Sequence, residues 1–185
     1  MNFNDHSILE GCHAYLGASK YHWIHYDEEK LSTAYRNHLA TERGTRLHEL
    51  AAKLIKEKIT LKSTKKTFNM YVNDAIGFGM QPEVVLFYSE NAFGTADSIL
   101  FKNNKLRIHD LKTGMTPAKM DQLEIYVALF CLEYDCQPQD IETELRIYQF
   151  DQIFVHNPEP EKIHYIMDKY IAFDKLIKEI DSEGV

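Results

Sequence analysis

Apolar positions along this chain recur first at helical spacing and then at strand spacing. Leu47, Leu50, Ala51, Leu54 and Ile55 share one side of a helix and predict such an element over 41–58. Phe68, Tyr71, Val72, Ala75 and Ile76 repeat the pattern after Thr64, a candidate cap, until Gly77 and Gly79 end it. Beyond Pro82 the character changes, and the runs 83–88, 94–101 and 106–112 predict three strands. Thr116 followed by Pro117 has the form of a helix cap with a first-turn proline, and Leu123, Val127, Leu129, Phe130 and Leu132 carry that helix to about residue 134. A strand over 144–150 and a last helix opened by Asn157 and Pro158 complete an α-α-β-β-β-α-β-α order. That order predicts an α/β (α+β) fold, a central mixed sheet flanked by helices. At 185 residues the chain is expected to form a single domain over 1–185, helical over residues 1–80 and with its sheet core over residues 81–185.

Composition narrows the class. Hydrophobic residues make up 44% and charged residues 26%, and no run approaches the ~20 apolar residues of a membrane span, so a soluble protein without a membrane partner is expected. The segment from Met1 to His6 has no basic stretch leading into an apolar run, which predicts a cytoplasmic, intracellular location. Cys12, Cys131 and Cys136 cannot pair completely and form no CxxC, which argues against a disulfide scaffold and a four-thiolate cluster. The net charge of −7 by itself disfavours a nucleic-acid partner. Its distribution reverses that expectation, because residues 1–70 hold 11 basic against 8 acidic side chains, and Arg43, Arg46, Lys53, Lys56, Lys58, Lys62, Lys65 and Lys66 are concentrated there.

The runs 94–101 and 106–112 flank Lys102, Asn103, Asn104 and Lys105, and Asn-Asn suits a two-residue hairpin turn because Asn tolerates positive φ. With Lys102 opposite Lys105, the register pairs Phe101 with Leu106, Ile99 with Ile108 and Asp97 with Asp110. Alternation then places all six on one face, an apolar surface ending in two carboxylates with Cβ atoms about 4.5–5.5 Å apart. Opposed like charges at the end of a buried face call for a shared proton or a bound cation. Lys112, two residues past Asp110, projects from the same face.

These residues resemble a known family. Gly94-Thr95-Ala96-Asp97, Asp110-Leu111-Lys112-Thr113-Gly114 and Gln122-Leu123-Glu124-Ile125-Tyr126 resemble the successive motifs of the PD-(D/E)XK nuclease superfamily, and within it the RecB-type branch to which lambda-type phage exonucleases are related. Gln122 and Tyr126, at i and i+4, match that branch's Q-x-x-x-Y signature and share one helix face. Gly44-Thr45-Arg46-Leu47-His48 matches its G-x-x-x-H motif, and Leu16-Gly17-Ala18-Ser19-Lys20 is similar to its N-terminal serine-containing segment. The likeness runs from about residue 16 to residue 150. Ala96 stands where the superfamily's name-giving proline would be, and no phosphate-binding helicase motif accompanies the nuclease motifs.

The resemblance implies a restriction-endonuclease-like core and a metal-dependent deoxyribonuclease, most readily an exonuclease on the free ends of linear DNA, working with Mg²⁺ or Mn²⁺ and without an iron–sulfur cluster. It implies Asp97, Asp110 and the Leu111 carbonyl as metal ligands, His48 at a second ion, and Glu83 as an added metal-sphere residue. Lys112 would orient or deprotonate the attacking water, with Gln122 and Tyr126 bonding Lys112 or the DNA backbone. Ser19, Lys20, Arg43 and Arg46 are candidate phosphate contacts. A homo-oligomer or a recombination partner protein, and a phage-encoded origin, fit the same likeness. Two other readings stay open at this point: a nuclease fold that binds DNA ends or inhibits a partner without turnover, and a zinc module on Cys12, His13, His22 and His25.

Overall fold

A computed structural model describes residues 4–183, so Met1, Asn2 and Phe3, the start of the segment read for a leader, lie outside the described residues. The described residues divide into two compact units, one ending at Glu42 and the other starting at Arg43. The division falls within a helix, and the change from helices to strands comes at Gln81, where the sequence turns strand-like.

That helix, α1, spans Glu28–Lys56 and begins well before the expected start at 41. Asp27 Oδ1 accepts a hydrogen bond from Lys30 N at 2.8 Å, and Glu28 and Glu29 sit in the first turn, where the helix dipole favours negative charge. Its first half carries Leu31, Ala34, Tyr35 and Leu39 at helical spacing but buries none of them, and the buried stretch lies around Ala51 and Ile55. In the first unit, the irregular 3₁₀ segment Ala18–His25 precedes the helix, and Tyr15 packs edge-on to Tyr35 with ring centres 4.9 Å apart.

In the second unit, α2 (Thr67–Phe78) follows the connection after α1. Its cap is not Thr64, whose Oγ1 accepts from Lys66 N at 3.3 Å, but a residue remote in sequence: Thr67 N donates to Asp151 Oδ1 at 2.9 Å. Gly77 is accommodated inside the helix, and Gly79 ends it with φ at +77°, a conformation glycine adopts without strain.

Five strands follow in one sheet of order β1-β2-β3-β4-β5: β1 Gln81–Ser89, β2 Ala92–Lys102, β3 Lys105–Leu111, β4 Glu142–Gln149 and β5 Gln152–His156. β3 and β4 pair in parallel and the other neighbours are antiparallel, which makes the sheet mixed. The β2–β3 hairpin has the register that alternation predicts, with Lys102↔Lys105, Phe101↔Leu106 and Ile99↔Ile108, and Asn103 and Asn104 both take positive φ. Phe101, expected in the core, is 47% exposed, although its ring lies 5.2 Å from that of Phe130. β5 adds a strand to the order expected from the sequence; Phe150 and Asp151, both at positive φ, turn the chain back against β4.

Between β3 and β4, α3 spans Asp121–Glu133, beginning four residues after Pro117 and not at the Thr116-Pro117 pair. The intervening loop is held by the buried side chain of Gln149, whose Nε2 donates to Gly114 O (2.9 Å) and Thr116 O (2.8 Å) while its Oε1 accepts from Ala118 N (2.9 Å). The last helix, α4, spans Pro160–Ser182, with Pro160 rather than Pro158 in its first turn.

Two apolar clusters cover the two faces of the sheet. Ile99, Leu106, Ile108, Leu145 and Ile147 pack with Leu123, Val127 and Leu129 of α3 and Ile163 and Met167 of α4. Leu111 and Tyr148 pack with Ala51 and Ile55 of α1 and with Tyr71, Val72 and Ala75 of α2. The protein is therefore a mixed α+β fold with a five-stranded sheet flanked by helices. Among the described residues, no helix is long and apolar enough to cross a membrane.

Candidate active site

The residues singled out in the hairpin, in α1 and in α3 meet at the carboxyl end of β3. The hydrogen-bonded pairs of β2 and β3 end at Ser98↔His109, so Asp97 and Asp110 are the next positions on each strand. On the other side of β2 the pairs Pro82↔Ser98 and Val84↔Ala96 bracket Glu83 and Asp97. Three carboxylates thus occupy one level across three adjacent strands. Glu83 has φ at +53°, a local break in the edge strand at this level.

Asp97 turns its side chain along the sheet end: its Oδ2 accepts from Leu111 N at 2.9 Å and lies 3.2 Å from His48 Nδ1. The hydrogen bond that His48 donates to Asp97 is the main cause raising the His48 imidazole above its ordinary value. For Leu111, the contact formed within the site is made by its amide.

The Asp110 side chain is only 3% exposed. Its Oδ1 accepts from Lys112 Nζ at 3.0 Å, and its Oδ2 is buried with no hydrogen-bond partner. Burial, and then the charge of Asp97, push the Asp110 carboxyl up to about 6. Glu83, mostly exposed, is also raised, first by its partial burial and then by Asp97.

From Lys112 a directed chain of hydrogen bonds leads back into the fold. Lys112 Nζ donates to Gln122 Oε1 (2.8 Å), Gln122 Nε2 donates to Tyr126 Oη (3.1 Å), and the Tyr126 hydroxyl donates to Thr95 O (2.7 Å). Because Tyr126 both accepts and donates, the Gln122 amide has its oxygen toward the ammonium. Burial raises the Tyr126 phenol, which keeps its proton available for Thr95. Gly94 makes the arrangement sterically feasible, since a Cβ there would lie 2.9 Å from Tyr126 Cε1. On the α1 side, a Cβ at Gly44 would lie 3.0 Å from Thr113 Oγ1.

Arg43 and Arg46 are exposed on α1, and Ser19 and Lys20 are exposed in the first unit. Tyr71 is buried core. Three roles in the site went unread in the sequence: those of the Thr95 carbonyl and the Leu111 amide, both within quoted motifs, and that of Gln149, outside every motif, as a brace on the loop after Lys112. Gln149 had one legible signal, a polar residue at the end of an apolar strand.

Among the described residues, no three His, Cys, Asp or Glu side chains form a ready metal cage, either here or around Cys12, His13, His22 and His25. A hard divalent cation does not require one. Mg²⁺ keeps several waters and is commonly held by one or two carboxylates, and Asp97 with Asp110 supplies that donor type. The orphaned Asp110 Oδ2 is the kind of oxygen that a cation satisfies, since a buried unpaired acceptor is otherwise costly. The residues present fit such an ion. The chain matches no protein-family model, no curated protein and no solved structure.

Proposed function

We propose that this protein is a metal-dependent deoxyribonuclease with a PD-(D/E)XK core, acting as an exonuclease on linear DNA. The observation that carries this reading is Asp110: one oxygen bound by Lys112, the other buried without a partner beside Asp97. A purely structural Lys112–Asp110 ion pair would leave no reason to retain the second, unsatisfied oxygen in the core.

In this reading Asp97 and Asp110, together with the Leu111 carbonyl, would hold a pair of Mg²⁺ or Mn²⁺ ions, with His48 at the second ion and Glu83 as an added metal-sphere residue. The bound ions would supply an activated water and stabilise charge on the scissile phosphate and the departing oxygen, a two-metal mechanism. The chain's own residues do the positioning. Lys112 presents its remaining ammonium proton to the attacking water or a phosphate oxygen, and Gln122 fixes the lysine's direction. Tyr126 fixes Gln122 in turn and is itself tied to the backbone of the strand that carries Asp97. Leu111 N holds the Asp97 carboxylate in place, so its orientation does not depend on substrate. Arg43, Arg46, Ser19 and Lys20 are the proposed phosphate contacts.

The test is digestion of linear and covalently closed circular DNA, end-labelled at either terminus, with Mg²⁺, with Mn²⁺ and with EDTA. Linear DNA should be degraded without sequence preference and only with metal, while closed circles resist. Equal cutting of circles would replace the exonuclease with an endonuclease, and no cutting of any DNA with either metal would end the nuclease reading.

A further inference from the structure

Between α1 and α2 the chain concentrates positive charge on a fixed backbone. Over 53–66 it carries six lysines, Lys53, Lys56, Lys58, Lys62, Lys65 and Lys66, against the single carboxylate of Glu57, and all six are exposed. The connection is not a loose linker. Leu61 N donates to Asn73 Oδ1 (2.8 Å), Asn73 Nδ2 donates to Leu61 O (3.0 Å), and Asn69 Nδ2 donates to Lys62 O (2.8 Å). Lys66 Nζ donates to Asp151 Oδ2 at 2.7 Å, which ties the end of the segment to the β4–β5 turn. Among the described residues, Lys62 and Lys65 form no ion pair.

The topology places that anchor at the end of the sheet that bears Asp110 and Lys112. β4 runs parallel to β3 with Leu111 level with Tyr148, and Lys112 N donates to Tyr148 O at 3.0 Å. Asp151 is the second residue of the tight turn that joins β4 to β5 directly after Gln149, at that same end of the sheet. Residues 71–185 do not concentrate positive charge in the same way, since they hold 10 basic against 20 acidic side chains.

We propose that the lysine-rich connection is a track for the DNA phosphate backbone, centred on Lys62 and Lys65, that holds substrate outside the scissile position; this rests on the nuclease reading of the site. Lysines act there as point charges that displace condensed counterions without reading bases, which suits a sequence-independent enzyme. Because Asn69 and Asn73 already hold the backbone, binding need not order it, and the lysines' contribution appears mainly as affinity.

The experiment compares wild type with Lys62→Ala/Lys65→Ala, Lys62→Arg/Lys65→Arg and Lys102→Ala. Lys102 is exposed at the hairpin tip, the opposite end of the sheet. Affinity for a fluorescent duplex is read by anisotropy in EDTA across about 50–200 mM NaCl, and cleavage of the same duplex is read with Mg²⁺. The double alanine variant should bind roughly tenfold more weakly, with a log–log salt slope lower by about 2, one for each lost phosphate contact. Its KM should rise while kcat stays unchanged, and the arginine pair and Lys102→Ala should retain the wild-type slope. An unchanged slope in the alanine pair, or an equal loss in Lys102→Ala, overturns the track while leaving the nuclease reading intact if wild type still cleaves. A wild type that neither binds nor cleaves DNA overturns both.

Discussion

Lys112 Nζ lies 3.0 Å from Asp110 Oδ1, while the other oxygen of the same carboxylate is buried with no hydrogen-bond partner. One half of Asp110 is therefore satisfied by the protein and the other is not. The consequences for stability, metal binding and turnover differ for each residue around it, which makes them separable by mutation.

Asp110→Asn should abolish cleavage while making the metal-free protein more stable near neutral pH. The sign follows from the raised carboxyl. The folded state keeps the Asp110 proton up to about pH 6, whereas the unfolded chain releases it near the ordinary value of 3.8. The favourable contribution is thus full below about pH 4 and is lost as pH rises through 6, by an amount on the order of 3 kcal/mol. Denaturant unfolding in EDTA at both ends of that window should show the loss in wild type and not in the variant. Saturating Mg²⁺ should reverse the order, since wild type alone gains the binding free energy, about 2.7 kcal/mol at 100 times Kd. Equal Mg²⁺-induced shifts in Tm for the two proteins would remove Asp110 from the ligand set.

Lys112→Ala should lower the cleavage rate by about 10²–10⁴-fold at saturating metal and DNA, the range for losing a positioned acid–base group. Divalent binding should persist or tighten, because a neighbouring positive charge is gone. Calorimetric metal affinity alongside single-turnover cleavage checks both effects. A variant retaining more than about a tenth of wild-type rate would reduce Lys112 to an ordinary ion pair.

Gly94→Ala should impair turnover from a position that bears no chemistry. The added methyl would lie 2.9 Å from Tyr126 Cε1, and moving that ring withdraws its hydroxyl from Thr95 O and from Gln122. Overpacking of this kind costs about 1–3 kcal/mol. Tyr126→Phe, which keeps the ring and removes only the hydroxyl, should cost about 1 kcal/mol and slow cleavage less. If both variants cleave at the wild-type rate, the chain from Lys112 to Thr95 does not position the lysine.

Gln149→Ala should loosen the loop between Lys112 and α3. Three backbone groups lose their partner together, and although water can reach some of them, a loss of about 2 kcal/mol is expected. Amide hydrogen exchange across 114–118 should quicken while exchange in β2 and β3 stays slow. Unchanged protection at Ala118 would show that the loop holds itself.

Much of this arrangement was legible because it depends on local rules. The Asn103-Asn104 turn and the alternation of Ile99, Phe101, Leu106 and Ile108 define one hairpin register, and the structure has it. The i, i+4 spacing of Gln122 and Tyr126 puts both on one face of α3, where they bond each other. What was not legible depends on residues distant in sequence. Thr64 had the right type for a cap, but Asp151 takes that role for α2 because the β4–β5 turn brings its carboxylate there. Thr116 and Pro117 had the right form for a helix start, yet Gln149 captures that stretch as a loop and delays α3 to Asp121.

The sequence by itself determined the alternation of helical and strand segments, the hairpin that carries Asp97 and Asp110, and the residue types gathered at its end, since periodicity and turn chemistry act over a few residues. Tertiary structure alone decided that Asp97 would be held by the Leu111 amide and His48, and that one oxygen of Asp110 would be left unpaired. Tertiary structure also tied Lys112 through Gln122 and Tyr126 to Thr95. Burial and hydrogen-bond partnership are properties of packed surfaces, and they do not exist until the sheet and its flanking helices close around those side chains.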